Sequence, residues 1–306
     1  MGEINNLYNF IYNFFTPDPK GESFEPFSTI HIITLIVIAL ANFVIISHYK
    51  RIIRKKDKRK GENKGKDKDN DIGININIDI EKDIDIDIDN NKLLESELGN
   101  SLKKFRHALA AFLLLNEAVY TVWSVATGDW TIGYSLPLHL CDMSMFFSVI
   151  MLVTKNYFLY EITYFWGLGG SLQALITPDL YPYNFPHFIY FNFFLAHSCV
   201  ITAVLFMTLV ENFQPTRKSI LKTIIFTNMY MAVIAVINIL TNGNYMFLCH
   251  KPNNPSIMDY LGPWPWYILG LEGIGVVTMC ILCIPYLKIF RRIKLQSLFR
   301  FPRRFS

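Results

Sequence analysis

The sequence predicts an all-α, polytopic membrane protein of seven transmembrane helices, with the N-terminus outside and the C-terminus in the cytosol. Three observations carry this. Apolar residues make up 52% of the 306-residue chain and aromatics 15%, and mean hydropathy is +0.26 despite a long charged stretch. Seven segments approach the ~20 mostly apolar residues that a helix needs to cross the hydrocarbon core. Of the 29 Lys and Arg, all but Lys20 and Lys251 fall on one side of the resulting path, which the positive-inside rule makes the cytosolic side. This composition excludes an ordinary soluble globule, a disulfide-rich secreted domain and a fibrous protein. The net charge of +4 averages over unevenly placed cations, so it does not argue for a nucleic-acid partner.

The outer N-terminal segment, 1–27, places Leu7, Phe10, Ile11, Phe14 and Phe15 on one helix face. This suits an interfacial helix ended by Pro17 and Pro19. The predicted spans are 28–48, 105–126, 136–153, 157–176, 189–209, 219–241 and 264–287. Only Thr154, Lys155 and Asn156 separate the third from the fourth. No basic n-region followed by a short apolar core and small-residue site opens the chain, so the first span is expected to act as its own signal. Residues 49–104 form the first cytosolic loop. Within it, 72–89 alternates Ile with Asn or Asp, but the polar half is nearly all acidic and the flanks are charged runs. A disordered insertion is expected there, with a basic start that touches anionic headgroups. Residues 105–288 make a six-helix transmembrane body, and 289–306 a basic cytosolic tail.

Ionisable and polar groups inside a bilayer are costly, which makes each one a functional candidate. The second span carries Asn116 and Glu117, and the third His139, Cys141 and Asp142. The fourth carries Glu161 and Gln173, the fifth Asn192 and His197. Asn228 and Asn238 lie in the sixth, Glu272 in the seventh. At ~1.5 Å rise per residue, Cys141 lies ~7 Å inside the outer boundary, and His197 and Glu272 ~12 Å inside it. Polar groups of several helices at similar depth predict one cavity opening outward. Asn228 and Asn238 fit helix-packing hydrogen bonds instead.

A Cys with a His is the minimum for thiolate nucleophilic catalysis. His139 and Cys141 are two residues apart, about 200° around a helix, so His139 is a poor partner for that thiol. His139 and Asp142 are spaced to face each other. The base is therefore expected to be His197, with Glu272 or Asn116 orienting its ring. Gln173, Asn192 or backbone N–H groups near Pro137 are candidates to hold an oxyanion. Other readings compete. A disulfide between Cys141 and Cys249 suits an oxidising exterior. A zinc site from His139, Asp142, His197 and Glu272 is conceivable but has no HExxH spacing to support it, and Cys280 and Cys283 lack further ligands. No metal and no cofactor is expected.

The strings Leu136-Pro137-Leu138-His139-Leu140-Cys141-Asp142, Gly169-Gly170-Ser171-Leu172-Gln173-Ala174-Leu175-Ile176-Thr177-Pro178-Asp179-Leu180 and Ala196-His197-Ser198 resemble the YwaF family of integral membrane proteins. So does Leu261-Gly262-Pro263-Trp264-Pro265-Trp266-Tyr267, with Asn244 to Pro252 before it. The resemblance covers nearly all of the chain outside the insertion and the two tails. It implies a multi-pass fold related to animal transmembrane phospholipid acyltransferases and, distantly, to ADTRP-type lipid-ester hydrolases, which use a Thr nucleophile with a His. It places the acyltransferase Cys on Cys141 and the His on His197.

The expected function is thus a lipid acyltransferase or acyl hydrolase acting on membrane phospholipids or other acyl lipids. Cys141 and His197 would be catalytic, with His139, Asp142, Glu272, Asn116, Glu117, Gln173 and Asn192 in support. A transporter or channel for a small solute, and a non-catalytic seven-helix ligand-binding protein, are the alternatives. The sequence leaves the membrane and the oligomeric state open.

Overall fold

The computed structural model describes residues 2–19, 24–69, 79–252 and 256–286. The basic tail expected at 289–306 lies outside them, as do residues 72–78 of the low-complexity segment. The described residues are helical and contain no strand. In chain order the helices are α1 (Gly2–Phe15), α2 (Thr29–Asp69), α3 (Asp79–Thr127), α4 (Leu140–Thr154), α5 (Tyr157–Ile176), α6 (Phe188–Leu209), α7 (Arg217–Thr241) and α8 (Trp266–Cys283). Short 3-10 turns interrupt the loop between α7 and α8.

Each of the helices α2 to α8 overlaps one of the seven predicted segments. Five of them are long and apolar enough to cross a membrane, namely α2, α3, α6, α7 and α8. α4 falls short in length. Its 15 residues span about 22 Å against a hydrocarbon core of about 30 Å. The segment expected from 136 starts helix only at Leu140, because Pro137 has no N–H to give and His139 serves as the cap. α5 falls short in hydropathy rather than length, for a reason its packing makes plain.

α5 is the hub. It packs on α4, α6, α7 and α8, and its residues from Tyr160 to Leu168 are all buried. Its polar side chains are handles to those neighbours. Tyr160 Oη shares a 2.9 Å hydrogen bond with Thr208 Oγ1 of α6. Trp166 Nε1 donates to Thr227 Oγ1 of α7 at 2.9 Å, and Tyr164 Oη to the Leu282 carbonyl of α8 at 3.0 Å. A helix wrapped in protein can carry groups that lipid would not tolerate, provided each finds a partner. The glycine run continues the helix without a break. Val200 and Val204 of α6 crowd Gly167, Thr278 of α8 approaches Gly169, and Cys141 of α4 approaches Gly170.

One end of the bundle gathers charge. Glu211, buried beyond the end of α6, takes Arg106 Nε at 3.0 Å and Lys155 Nζ at 2.5 Å. Arg106 also donates to the Leu152 carbonyl at the end of α4. Beside it, the buried Glu161 accepts from Ser219 Oγ and Lys222 Nζ, both at 2.6 Å. The α4–α5 link anticipated at Thr154–Asn156 is present. Lys155 is left-handed (φ 56°), and Asn156 caps α5 by accepting from the Leu159 N–H.

At the opposite end, two loops lock together. Tyr245 Oη accepts from the Leu136 N–H at 2.9 Å and donates to the Ile132 carbonyl at 2.7 Å. Asn238 Oδ1 and Nδ2 bond the Tyr245 N–H and carbonyl. α1 docks here through Phe14 and Phe15 against Phe188. Trp123 Nε1 donates to the Phe15 carbonyl at 2.9 Å. Phe10 and Ile11, part of the face expected to meet the membrane, are exposed.

Parts of the segment 49–104 lie among the described residues. α2 continues to Asp69 and α3 begins at Asp79. Lys, Arg and Glu are good helix formers, and extending an existing helix avoids the cost of nucleation.

Candidate functional site

Cys141 is the second residue of α4, half-buried and in no disulfide. The sulfur lies against α5, where a Cβ placed on Gly170 would be 3.9 Å from it. That glycine leaves the face of α5 open beside the thiol. His139 caps the same helix. Its backbone N–H donates to Asp142 Oδ2 at 3.1 Å, so the expected His139–Asp142 pairing forms through the main chain and not through the ring. The ring stands among Tyr134, Tyr245 and Phe247, and its Nδ1 accepts from the Met246 N–H at 3.3 Å. His139 thus clamps the α7–α8 loop onto α4.

His197 projects from the middle of α6. Its Nδ1 lies 2.8 Å from the Phe193 carbonyl. A carbonyl only accepts, so Nδ1 carries the proton. The neutral ring then keeps an unprotonated Nε2, which has no hydrogen-bond partner among the described residues. The Phe193 ring packs on the imidazole with centroids 4.2 Å apart. The ring is therefore oriented by its own helix, not by Glu272 or Asn116 as expected.

The other candidates fall into separate groups. Asn116 of α3 and Asn192 of α6 bond each other's backbone carbonyls, which ties these helices beside the site. Glu117 lies on α3 and Asp142 on α4, helices that pack together, and Tyr230 Oη donates to the Leu138 carbonyl just before α4. Glu272 instead accepts from Asn228 Nδ2 at 2.6 Å, between α7 and α8. Gln173 donates to Thr177 Oγ1 at the end of its own helix. Cys141 and His197 come from adjacent helices, since α4 packs on α6, but no hydrogen bond joins them among the described residues. Cys249 is free as well. No three His, Cys, Asp or Glu side chains converge on a metal-sized space among the described residues.

Sequence reasoning passed over the rim of this end. His187, 4% exposed, caps α6, accepting from the Ile189 N–H at Nδ1 and meeting the Thr16 carbonyl at Nε2. Burial holds its basicity below the ordinary value of 6.5. Tyr183 stacks on it at 4.5 Å, and burial, helped by Asp129 and Asp18, pushes that phenol up to about 12. Tyr134 is also raised, by burial and then by Asp179 and Asp142. The run of aromatics around Pro182 and Pro186 was the available signal.

No curated protein and no solved structure matches the chain. A family model does match, over residues 26–283, which takes in every helix from α2 to α8 and so the whole arrangement just described; the chain belongs to the TMEM164 family of integral multi-pass membrane proteins.

Proposed function

We propose that this protein is a lipid acyltransferase or acyl hydrolase that acts on phospholipid esters, with Cys141 as nucleophile and His197 as base. The observation that carries the reading is the tautomer of His197. With Nδ1–H held on the Phe193 carbonyl, Nε2 presents a lone pair, as a general base requires. The resemblance to the YwaF family and its acyltransferase relatives points to the same two residues. In the reaction the thiol proton passes to Nε2 and sulfur bonds the ester carbon. The ester C–O bond then breaks, and the leaving oxygen takes the proton back from the imidazolium. Water or a second lipid hydroxyl resolves the thioester the same way. This chemistry needs sulfur and Nε2 to come within hydrogen-bond reach, a contact that commonly tightens only with substrate bound.

The topology belongs to the same proposal. All seven helices α2 to α8 span the membrane, with the N-terminus outside and the C-terminus cytosolic. Support comes from Arg106, Lys155 and Lys222 gathering at one end of the bundle, the end opposite Cys141. α4 and α5 enter the bilayer within the protein rather than against lipid.

The test is turnover of a phospholipid by purified protein in nanodiscs. Cys141→Ala and His197→Ala should each reduce acyl release or exchange by at least about a hundredfold while melting like wild type. An electrophilic thiol probe should label Cys141, with labelling suppressed by an acyl donor. Full turnover in both variants would refute the proposal.

One observation favours a second reading, a proton-coupled transporter. Glu117 and Asp142 are carboxylates on the packed neighbours α3 and α4, as proton-relay groups are. Solute uptake into liposomes lost in Glu117→Gln, with no lipid turnover by wild type, would favour it.

A further inference from the structure

A groove of about 380 Å³ lies between α2 and α3, lined by Tyr49, Glu97, Asn100, Ser101, Lys104 and Phe105. It sits far from Cys141. Arg106, next to it in sequence, reaches the last turn of α4, whereas Cys141 is in the first. Its level is set by the two helices themselves. On α2 the apolar run ends at Ser47 and passes through Tyr49 to Lys50 and Arg51. On α3 the charged residues end at Lys104 and Arg106, and the apolar run follows. The groove therefore straddles a membrane–water boundary.

The five α3 residues follow i, i+3, i+4, i+7, i+8 spacing, so they form one stripe facing Tyr49. Their order along the axis is chemical. Deepest is Phe105, whose ring packs at a tilt on Tyr49 and Phe206 with centroids 5.0 and 4.6 Å away. Above it come the Lys104 ammonium and the donors of Ser101 and Asn100. Farthest out is the Glu97 carboxylate, about 10 Å along the axis from Lys104. Lys104 and Glu97 form no ion pair with any described residue, and they are too far apart in backbone position to neutralise each other directly. An apolar floor, then a cation, then an anion repeats in complement the order of a zwitterionic phospholipid: acyl chains, phosphate, ammonium.

We propose that this groove binds the headgroup of a zwitterionic phospholipid of the adjoining leaflet. Lys104, Ser101 and Asn100 take the phosphate through charge-assisted hydrogen bonds. Glu97 takes the headgroup nitrogen, and the acyl chains lie along Phe105 and the apolar turns beyond it. The proposal is independent of any chemistry at Cys141.

The test is native mass spectrometry of the full chain equilibrated with equal amounts of dioleoyl phosphatidylethanolamine and dioleoyl phosphatidylglycerol. Wild type should retain the zwitterionic lipid several-fold over the anionic one. Lys104→Gln should lower its retention about fivefold, the scale of one partly exposed charged contact. Glu97→Gln should shift preference toward phosphatidylglycerol, because the phosphate partner stays and the ammonium partner is lost. Lys218→Ala, an exposed cation on α7, should change neither. All three variants replace exposed side chains and should melt as wild type does. Glycerophosphoethanolamine, the headgroup without chains, should compete poorly. Preference for phosphatidylglycerol in wild type, unchanged retention in Lys104→Gln and Glu97→Gln, or full competition by the free headgroup would each overturn the proposal.

Discussion

Asn116 and Asn192 hold each other's backbones: Asn116 Nδ2 donates to the Asn192 carbonyl at 3.4 Å, and Asn192 Nδ2 donates to the Asn116 carbonyl at 3.1 Å. The two bonds fix α3 against α6, five residues from His197. Each carbonyl already serves its own helix, so the amides exploit spare lone pairs. Intramembrane hydrogen bonds of this kind contribute about 0.6–2 kcal/mol each. Asn192→Leu should lower the melting temperature in micelles by a few degrees, and Asn116→Leu/Asn192→Leu by about the sum of the two single losses, because each amide bonds a main-chain carbonyl that the other substitution leaves in place. A double-mutant cycle on thermal unfolding reads this, and a double variant no worse than either single one would contradict it.

Glu161 shows a steeper dependence. Its carboxylate is 1% exposed, with Ser219 and Lys222 on its two oxygens at 2.6 Å. Removing the cation strands a buried charge. Lys222→Met should cost up to about 3 kcal/mol, and the pair replacement Glu161→Met/Lys222→Met much less. Equilibrium unfolding of the single and double variants distinguishes the two.

Gly243 and Gly133 make an asymmetric pair. A Cβ at Gly243 would stand 2.6 Å from the Gly133 carbonyl oxygen, a backbone atom that cannot swing away. A Cβ at Gly133 meets nothing closer than 3.4 Å. Gly243→Ala should therefore destabilise by about 1–3 kcal/mol and loosen the loop pairing around Tyr245, while Gly133→Ala stays within about 1 kcal/mol. Melting curves of the two variants, side by side, are the measurement.

His187 predicts a pH dependence. Burial depresses its folded-state value below 6.5, and the Thr16 carbonyl opposes that only in part. The unfolded chain then takes up the proton first as pH falls. The stability contributed by the neutral ring is present above pH 6.5 and declines as pH drops from 6.5 toward the folded-state value. The melting temperature should fall between pH 7.5 and 5.5 in wild type. His187→Gln should flatten that window, with α1 more accessible to protease at pH 7.5.

Element placement was readable where one helix speaks for itself. The Thr154–Asn156 break shows because a cation and an asparagine stand between two apolar runs. What the sequence withheld is which helix lies beside which. Glu272 looked like a partner for His197, yet α8 packs next to α7 and its carboxylate meets Asn228. His31 carried no signal at all. It is fully buried, accepting from the Phe27 N–H at Nδ1 and bonding the Leu175 carbonyl through Nε2, and only the folded chain brings Leu175 to it. The start of α4 was set four residues early because apolar character runs on through Pro137, where helical hydrogen bonding does not.

The handles of α5 reach only toward later parts of the chain. Thr208, Thr227 and Leu282 are all translated after it, as are Ser219 and Lys222. When α5 leaves the ribosome, its tyrosines, indole and carboxylate have nothing to hold. These partnerships can form only once α6, α7 and α8 have been made. A premature stop after α5 but before the end of α8 leaves a nascent chain in which at least one of these polar groups has no partner.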